Sequence, residues 1–107
     1  MRAQLLWWAG CPSTERAREL LAEGLAANGL DPGTIEMCEV STGEEAASQR
    51  FVGSPTIRVG GVEVAPEPDE PVGLTCRVYR TRDGRVSPVP DPSDIDDAIK
   101  EALDEHR

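Results

Sequence analysis

The sequence predicts a mixed α/β fold in which a central sheet is flanked by helices, and three observations predict it. Short apolar runs of strand length alternate with helical patterns through the first half of the chain. Gly60-Gly61 separates two short alternating segments, a strong hairpin signal. A final amphipathic helix follows a proline-rich segment. A right-handed crossover makes the first two strands parallel and a hairpin adds antiparallel strands, so the sheet is mixed, with helices on both faces.

The first strand and helix are the most sharply patterned part of the chain. Residues 4–9 (QLLWWA) form a short apolar run, typical of a strand buried on both faces. The turn 10–14 leads into a helix, and Pro12 suits the first helical position, which predicts Cys11 as the N-cap. One helix face carries apolar residues at spacings of three and four. They are Ala17, Leu20, Leu21 and Leu25.

A second strand is predicted over residues 34–40 (TIEMCEV), which alternate imperfectly. Ile35 and Met37 are expected to point inward. Cys38 lies in the same strand and is expected to be a buried, unreactive thiol.

A short helix and a hairpin follow the second strand. The helix is predicted over residues 44–50, with Ser41 or Thr42 as its cap and acidic residues in its first turn. The hairpin begins after Pro55 and spans residues 56–64.

The segment between the hairpin and the last helix combines a loop with two short predicted strands. Residues 65–73 contain three prolines and three acids and are predicted to be a loop. Residues 74–80 alternate, and residues 86–89 are predicted to return as a second strand across the Asp83-Gly84 turn. The alternation places three residues on one apolar face. They are Leu74, Cys76 and Val78.

The last helix is predicted to start at Ser93 as its N-cap, with Asp96 as the capping partner three residues later. Its apolar face recurs at helical spacing. The face consists of Ile95, Ile99, Ala102 and Leu103.

Length, charge and cysteine content narrow the class of protein. The 107 residues fit a single domain, residues 1–107. A net charge of −9 argues against nucleic acid and anionic membranes as partners. The run 5–9 is too short for a signal peptide or a membrane span, so a cytoplasmic location is expected. Three cysteines cannot all pair within the chain, which favours free or functional thiols in a reducing compartment.

Two motifs and the order of elements resemble the thioredoxin-like superfamily. The motifs are residues 7–14 (WWAGCPST), between strand and helix, and residues 53–57 (GSPTI), which open the third strand. The resemblance covers residues 1–64 and 93–107, with a β-hairpin insert between them. The chain is most similar to small bacterial thioredoxin-family or glutaredoxin-like proteins, which share the stretch at residues 73–79 (GLTCRVY).

The resemblance implies a thioredoxin-like fold and a cis peptide bond between Ser54 and Pro55, next to an active cysteine. It also implies that Pro12, Ser54 and Pro55 contact a thiol or disulfide substrate, either a protein or a low-molecular-weight thiol. The site departs from the Cys-x-x-Cys pattern of dithiol oxidoreductases, because Thr14 stands where the second cysteine would be. Exchange between two cysteines of one motif is therefore excluded.

Cys11 is the main candidate for chemistry. A thiolate at a helix N-terminus faces unpaired N–H groups and the positive end of the helix dipole, which lower its pKa. The hydroxyl of Thr14 is expected to donate a further hydrogen bond to the thiolate. Cys76 is a candidate to resolve a mixed disulfide on Cys11, and the competing interpretation makes Cys76 a small buried hydrophobe.

Three functions stay open at this point. The favoured one is thiol–disulfide exchange with Cys11 as nucleophile, and whether that makes the chain an enzyme is left open. The second is a binding site for a soft metal ion such as Hg²⁺ or Cu⁺, held by Cys11 and Cys76. The third is a non-catalytic thioredoxin-like module that binds a protein. No cofactor and no resident metal are expected, since no Cys/His spacing matches a zinc site and His106 is the only histidine.

Overall fold

The computed structural model describes residues 2–105. Its elements follow the predicted order, with a short 3₁₀ turn at Pro32–Thr34 before the second strand. In chain order they are β1 (Ala3–Trp7), α1 (Thr14–Ala27), β2 (Ile35–Glu39), α2 (Gly43–Ser48), β3 (Thr56–Val59), β4 (Val62–Glu63), β5 (Tyr79–Arg80), β6 (Val86–Ser87) and α3 (Pro92–Glu105).

The main sheet has four strands in the order β2-β1-β3-β4. β1 pairs in parallel with β2 and antiparallel with β3, so that Leu5 lies opposite both Met37 and Ile57. β3 turns directly into β4 through Gly60 and Gly61, whose φ angles of 58° and 83° need the left-handed region that glycine adopts at no steric cost. The predicted mixed sheet and its Gly-Gly hairpin are confirmed.

Helices cover both faces of this sheet, as predicted. On one face α1 and α3 pack together over β1 and β3, and the predicted apolar positions of α1 are all buried. On the other face Leu6 and Val40 pack with Ala46 of α2 and with Phe51. Two apolar layers therefore enclose β1, as its continuous apolar run predicts.

The N-terminal caps of α2 and α3 can be compared with the predicted cap residues. Thr42 caps α2, since its hydroxyl accepts from the Glu45 N–H at 3.1 Å, which confirms one of the two predicted caps. The predicted cap of α3 is wrong. Helix α3 begins at Pro92, and the Asp91 carboxylate accepts from the Ser93 N–H at 2.8 Å, so Asp91 does the capping.

The prediction for the second strand is wrong for two side chains. β2 pairs only with β1 and so forms an edge of the sheet. Met37, in this edge strand, is 40% exposed rather than buried. Cys38 is only half-buried, against the Leu6–Phe51 layer.

The insert forms a separate two-stranded sheet from β5 and β6, shorter than predicted. The phase of its alternation is opposite to the prediction. Cys76 and Val78 are exposed, whereas Arg77 and Tyr79 are buried. Among residues 2–105, no helix combines the length and apolar character needed to cross a bilayer.

Candidate functional site

Cys11 lies in the turn between β1 and α1, two residues before the helix cap. Its N–H donates to the Trp8 carbonyl at 3.0 Å, which closes a turn. Pro12 has no N–H to offer, and the first carbonyl in the helical ladder is that of Ser13, which accepts from Ala17 at 3.1 Å. The predicted assignments of Cys11 as N-cap and Pro12 as first helical residue are therefore wrong, although Cys11 still lies at the N-terminal end of α1.

The loop before β3 lies directly against Cys11. The Ser54–Pro55 peptide bond is cis, as the resemblance implies. The Cys11 thiol donates to the Ser54 carbonyl with an Sγ to O distance of 3.4 Å. On the other side, the Ser54 hydroxyl accepts from the Trp8 N–H at 3.1 Å. Ser54 therefore joins the end of β1 to the cysteine that follows it.

Cys76 approaches Cys11 because its segment pairs with the same serine. The Ser54 N–H donates to the Thr75 carbonyl, and the Arg77 N–H donates to the Ser54 carbonyl, both at 2.8 Å. This parallel bridge sets Cys76 opposite Ser54. Its thiol is close enough to Cys11 Sγ for each group to shift the pKa of the other. The structure thus brings together two cysteines whose proximity the sequence left open.

Burial and hydrogen bonding act in opposite directions on the pKa of Cys11. Cys11 is 8% exposed, and its burial raises the pKa of the thiol. Hydrogen bonds to the sulfur from the Ser13 N–H, the Ser54 side chain and the Cys76 thiol favour the thiolate. Together these bonds outweigh burial, so the pKa of Cys11 lies below its usual value.

The pKa of Cys76 moves in the opposite direction. Its thiol donates to Cys11 Sγ, and that bond, followed by burial and by the negative charge of a Cys11 thiolate, raises the pKa of Cys76. The pair therefore loses its first proton more readily than an ordinary thiol and its second proton less readily. Cys11 is therefore the first of the two thiols to ionise as the pH rises.

The bond predicted from Thr14 to Cys11 is absent. Within the described chain the Thr14 hydroxyl is buried and has no hydrogen-bond partner. Ser13 takes the expected place beside the sulfur, because α1 begins later than predicted. The sequence signal for Ser13 was its position at the start of the helix, where serine is a preferred cap residue.

Arg77 is a second residue that the sequence analysis missed, and it anchors the Cys76 segment. Its side chain is 2% exposed. The guanidinium bonds to Glu67 at 3.3 Å, to the Thr56 hydroxyl at 3.3 Å and to the Ala65 carbonyl, and it lies 3.5 Å from a Glu63 carboxylate oxygen. These partners draw Arg77 inward and so turn Cys76 outward along the same extended segment.

Tyr79 completes the anchor under the cis-proline loop. Its buried hydroxyl donates to the Pro55 carbonyl, and the Arg77 guanidinium lies 4.6 Å from the centre of its ring. Burial raises the pKa of Tyr79 far above its usual value, so the phenol stays a hydrogen-bond donor throughout the ordinary pH range. The one available sequence signal was that Arg77 and Tyr79 share the same alternation phase.

Gly53 allows the Cys76 segment to pack against the cis-proline loop. Its φ of 143° disfavours other residues, and an added Cβ would lie 2.9 Å from Arg77 Cβ. We expect Gly53→Ala to lower the free energy of unfolding by about 2 kcal/mol, because it adds both backbone strain and a clash. Urea unfolding measures this change. Gly43→Ala is the matched control, since its Cβ would meet open space, and an equal loss in both variants would contradict the prediction.

The other residues singled out from the sequence differ in their burial. Pro12 is exposed, whereas Ser54 and Pro55 are buried, so their predicted contacts with a substrate stay predictions. Trp7 and Trp8 are half-buried and pack against opposite apolar layers, which favours the interpretation as core residues. His106 lies outside the described residues. Within residues 2–105 no group of three or more His, Cys, Asp or Glu side chains could hold a metal ion.

Comparisons with protein-family models, with curated proteins and with solved structures found no match for this chain. The chemistry of the chain is therefore inferred from its own residues. Those residues form a paired-thiol site, in which a buried cysteine of lowered pKa lies beside an exposed one of raised pKa.

Proposed function

We propose that this chain is a thioredoxin-like protein that performs thiol–disulfide exchange, with Cys11 as nucleophile and Cys76 as resolving cysteine. The observation that carries the proposal is that both cysteines meet at Ser54: its carbonyl accepts from the Cys11 thiol and its backbone pairs with the Cys76 segment, beside the cis Ser54–Pro55 bond. The strand order β2-β1-β3-β4 and the position of Cys11 before α1 support the thioredoxin-like assignment. A cytoplasmic location fits three free cysteines and stays a prediction.

The two residues divide the roles according to their protonation. The lowered pKa of Cys11 raises its thiolate fraction at a given pH, and the thiolate is the form that attacks disulfides. The raised pKa of Cys76 keeps that residue as a thiol until Cys11 has been consumed. Once Cys11 forms a mixed disulfide, its sulfur no longer carries a negative charge and accepts a hydrogen bond from Cys76 only weakly. Both changes lower the pKa of Cys76, so Cys76 becomes easier to deprotonate.

The reaction proceeds in two exchanges. The Cys11 thiolate attacks one sulfur of a substrate disulfide, the substrate S–S bond breaks, and the released sulfur takes up a proton and leaves as a thiol. Cys76 then loses its proton and attacks Cys11 Sγ, which releases the second substrate thiol and forms a Cys11–Cys76 disulfide. Two protein thiols are oxidised and one substrate disulfide is reduced. A low-molecular-weight dithiol reductant restores both thiols by the same chemistry.

The pH dependence of alkylation tests the proposal. We expect the rate of iodoacetamide modification at Cys11 to rise with pH around a midpoint below the usual value of about 8.5. The midpoint for Cys76 is expected above the usual value, since the pKa of Cys76 is raised whereas that of Cys11 is lowered. Mass spectrometry of peptides follows each cysteine separately. The midpoint, rather than the absolute rate, is compared, because Cys11 is largely buried.

A matched pair of variants sharpens this measurement. Cys76→Ala removes one donor to the Cys11 sulfur, so the Cys11 midpoint is expected to move to higher pH. Cys38→Ala, in the edge strand β2, should leave it in place. A Cys11 midpoint at the value of a free thiol contradicts the proposal and favours a non-catalytic module that binds a protein partner.

A second candidate function shares the same pair of thiols. Two adjacent sulfur ligands suit a soft ion such as Hg²⁺ or Cu⁺, which would be cargo rather than a resident cofactor. This function predicts one ion bound per chain and a large loss of affinity in both Cys11→Ala and Cys76→Ala. Titration of the reduced protein with Cu⁺ against a chelator measures it. Undiminished binding by Cys76→Ala would exclude the paired site.

A further inference from the structure

We propose, on the basis of the function proposed above, that the substrates of Cys11 are small disulfides without net negative charge, and not extended polypeptide strands. Three observations carry this inference. The backbone beside Cys11 is already paired, the segment that pairs with it is firmly anchored, and the accessible cleft next to Cys76 is small and acidic.

The backbone groups that a polypeptide would use are occupied. An extended peptide binds a sheet edge or loop through main-chain hydrogen bonds, as an added strand. Beside Cys11 those groups belong to Ser54, and its N–H and carbonyl are engaged by Thr75 and Arg77 at 2.8 Å each. Ser54 has no exposed surface, and Pro55 is buried. A polypeptide could pair there only by displacing residues 75–77.

The segment 75–77 resists displacement because Arg77 is bonded on several sides. Lifting it would separate a guanidinium that is 2% exposed from Glu63, Glu67 and the Thr56 hydroxyl. A buried charge that loses its partners destabilises a protein strongly. The segment is therefore expected to stay in place while Cys11 reacts.

The open space at the site is a cleft of about 220 Å³ beside Cys76. Residues 75–78 form one side of the cleft, and Val52, Glu67 and Glu70 form the other. Its volume is below the range of about 300–1,000 Å³ that is typical of sites for drug-sized ligands. Cys76 lines this cleft, and the largely buried Cys11 lies next to Cys76, so a small disulfide that enters the cleft needs to displace less of the chain than a polypeptide would.

The charges around the cleft favour neutral or cationic molecules. Glu67 and Glu70 carry negative charge there, and the positive charge of Arg77 is already shared between Glu63 and Glu67. The net charge of the chain is −9, which adds a repulsive field for anions. The inferred class is thus a low-molecular-weight disulfide that is neutral or positively charged.

Four disulfides of different size and charge test the inference on the full chain. They are cystamine, a dication; 2-hydroxyethyl disulfide, which is neutral; glutathione disulfide, which is anionic; and insulin, a polypeptide. Dithiothreitol is the reductant, and each rate is divided by the uncatalysed rate of the same disulfide. We expect this rate ratio to be at least about tenfold larger for cystamine and 2-hydroxyethyl disulfide than for glutathione disulfide and insulin. Electrostatic steering changes association rates by about this factor or more.

Two single variants test whether negative charge in the cleft causes the discrimination between cationic and anionic disulfides. Glu70→Gln, in the cleft, is expected to narrow the ratio between the rate with cystamine and the rate with glutathione disulfide. Glu23→Gln removes the same charge from an exposed position on α1 and should leave that ratio unchanged.

The outcomes separate the inference from the function on which it rests. Insulin or glutathione disulfide reacting as fast as the small neutral probe, in a manner that requires Cys11, overturns the inference and leaves thiol–disulfide exchange intact. Rates in Cys11→Ser that equal those of the unmodified chain for all four probes overturn the proposed function and the inference together. Discrimination that requires Cys11 and weakens in Glu70→Gln supports both.

Discussion

Cys11→Ser is expected to reduce the rate of disulfide exchange on the order of 1,000-fold or more, because a serine hydroxyl stays protonated over the pH range in which the cysteine thiol ionises. The contacts of Ser13, Ser54 and Cys76 stabilise negative charge on sulfur, and they cannot lower the pKa of a hydroxyl far enough to replace it. The measurement is the initial rate with 2-hydroxyethyl disulfide and dithiothreitol, corrected for the uncatalysed reaction.

Two controls make this result specific to the nucleophile. Cys38→Ser removes a half-buried thiol from β2 and is expected to retain the full rate. Circular dichroism and urea unfolding of Cys11→Ser check that the buried position tolerates a hydroxyl, and Cys11→Ala provides an apolar alternative at the same site. A properly folded Cys11 variant with an undiminished rate would rule out Cys11 as the nucleophile.

Arg77→Ala is expected to lower the free energy of unfolding by about 2–4 kcal/mol, somewhat less than the loss of one partner in a fully buried ion pair. The expected loss of stability is smaller than for a fully buried ion pair because water partly screens the two carboxylates. The side chains of Glu63 and Glu67 are 20% and 35% exposed. The variant also leaves the Ala65 carbonyl without the donor that it has in the native chain. Urea unfolding of the reduced protein measures the change.

Neighbouring and conservative substitutions define what Arg77 contributes. Arg80→Ala, at an exposed position of the same segment, is expected to change stability by less than about 0.5 kcal/mol. Arg77→Lys keeps the charge without the planar arrangement of donors, so an intermediate loss is expected. The Cys11–Cys76 disulfide should also form more slowly in Arg77→Ala, because Arg77 holds the segment that carries Cys76. Equal stability losses in the Arg77→Ala and Arg80→Ala variants would contradict this anchoring role.

The sequence by itself determined the elements whose information is local. The apolar spacing of α1 and the glycine pair between β3 and β4 each depend on residues a few positions apart, and both predictions are confirmed. The cap of α2 was predicted as Ser41 or Thr42, and Thr42 provides it. The mixed sheet follows from them, because the order of strands and helices leaves few ways to connect the chain. Cys11 became the candidate nucleophile through its place at the N-terminal end of a helix and through the resemblance to the thioredoxin-like superfamily, and its role stays a prediction.

Only the tertiary structure decided what surrounds Cys11. The phase of residues 74–80 was wrong from the sequence, because Leu74, Cys76 and Val78 are apolar while Arg77 carries a charge. Arg77 is buried because distant carboxylates and carbonyls satisfy it, and no periodicity within the segment encodes those partners. Ser54 contacts Cys11 across 43 positions of the chain, and the same serine pairs with the Cys76 segment. The proximity of the two thiols therefore arises from long-range hydrogen bonds, which local patterns do not contain.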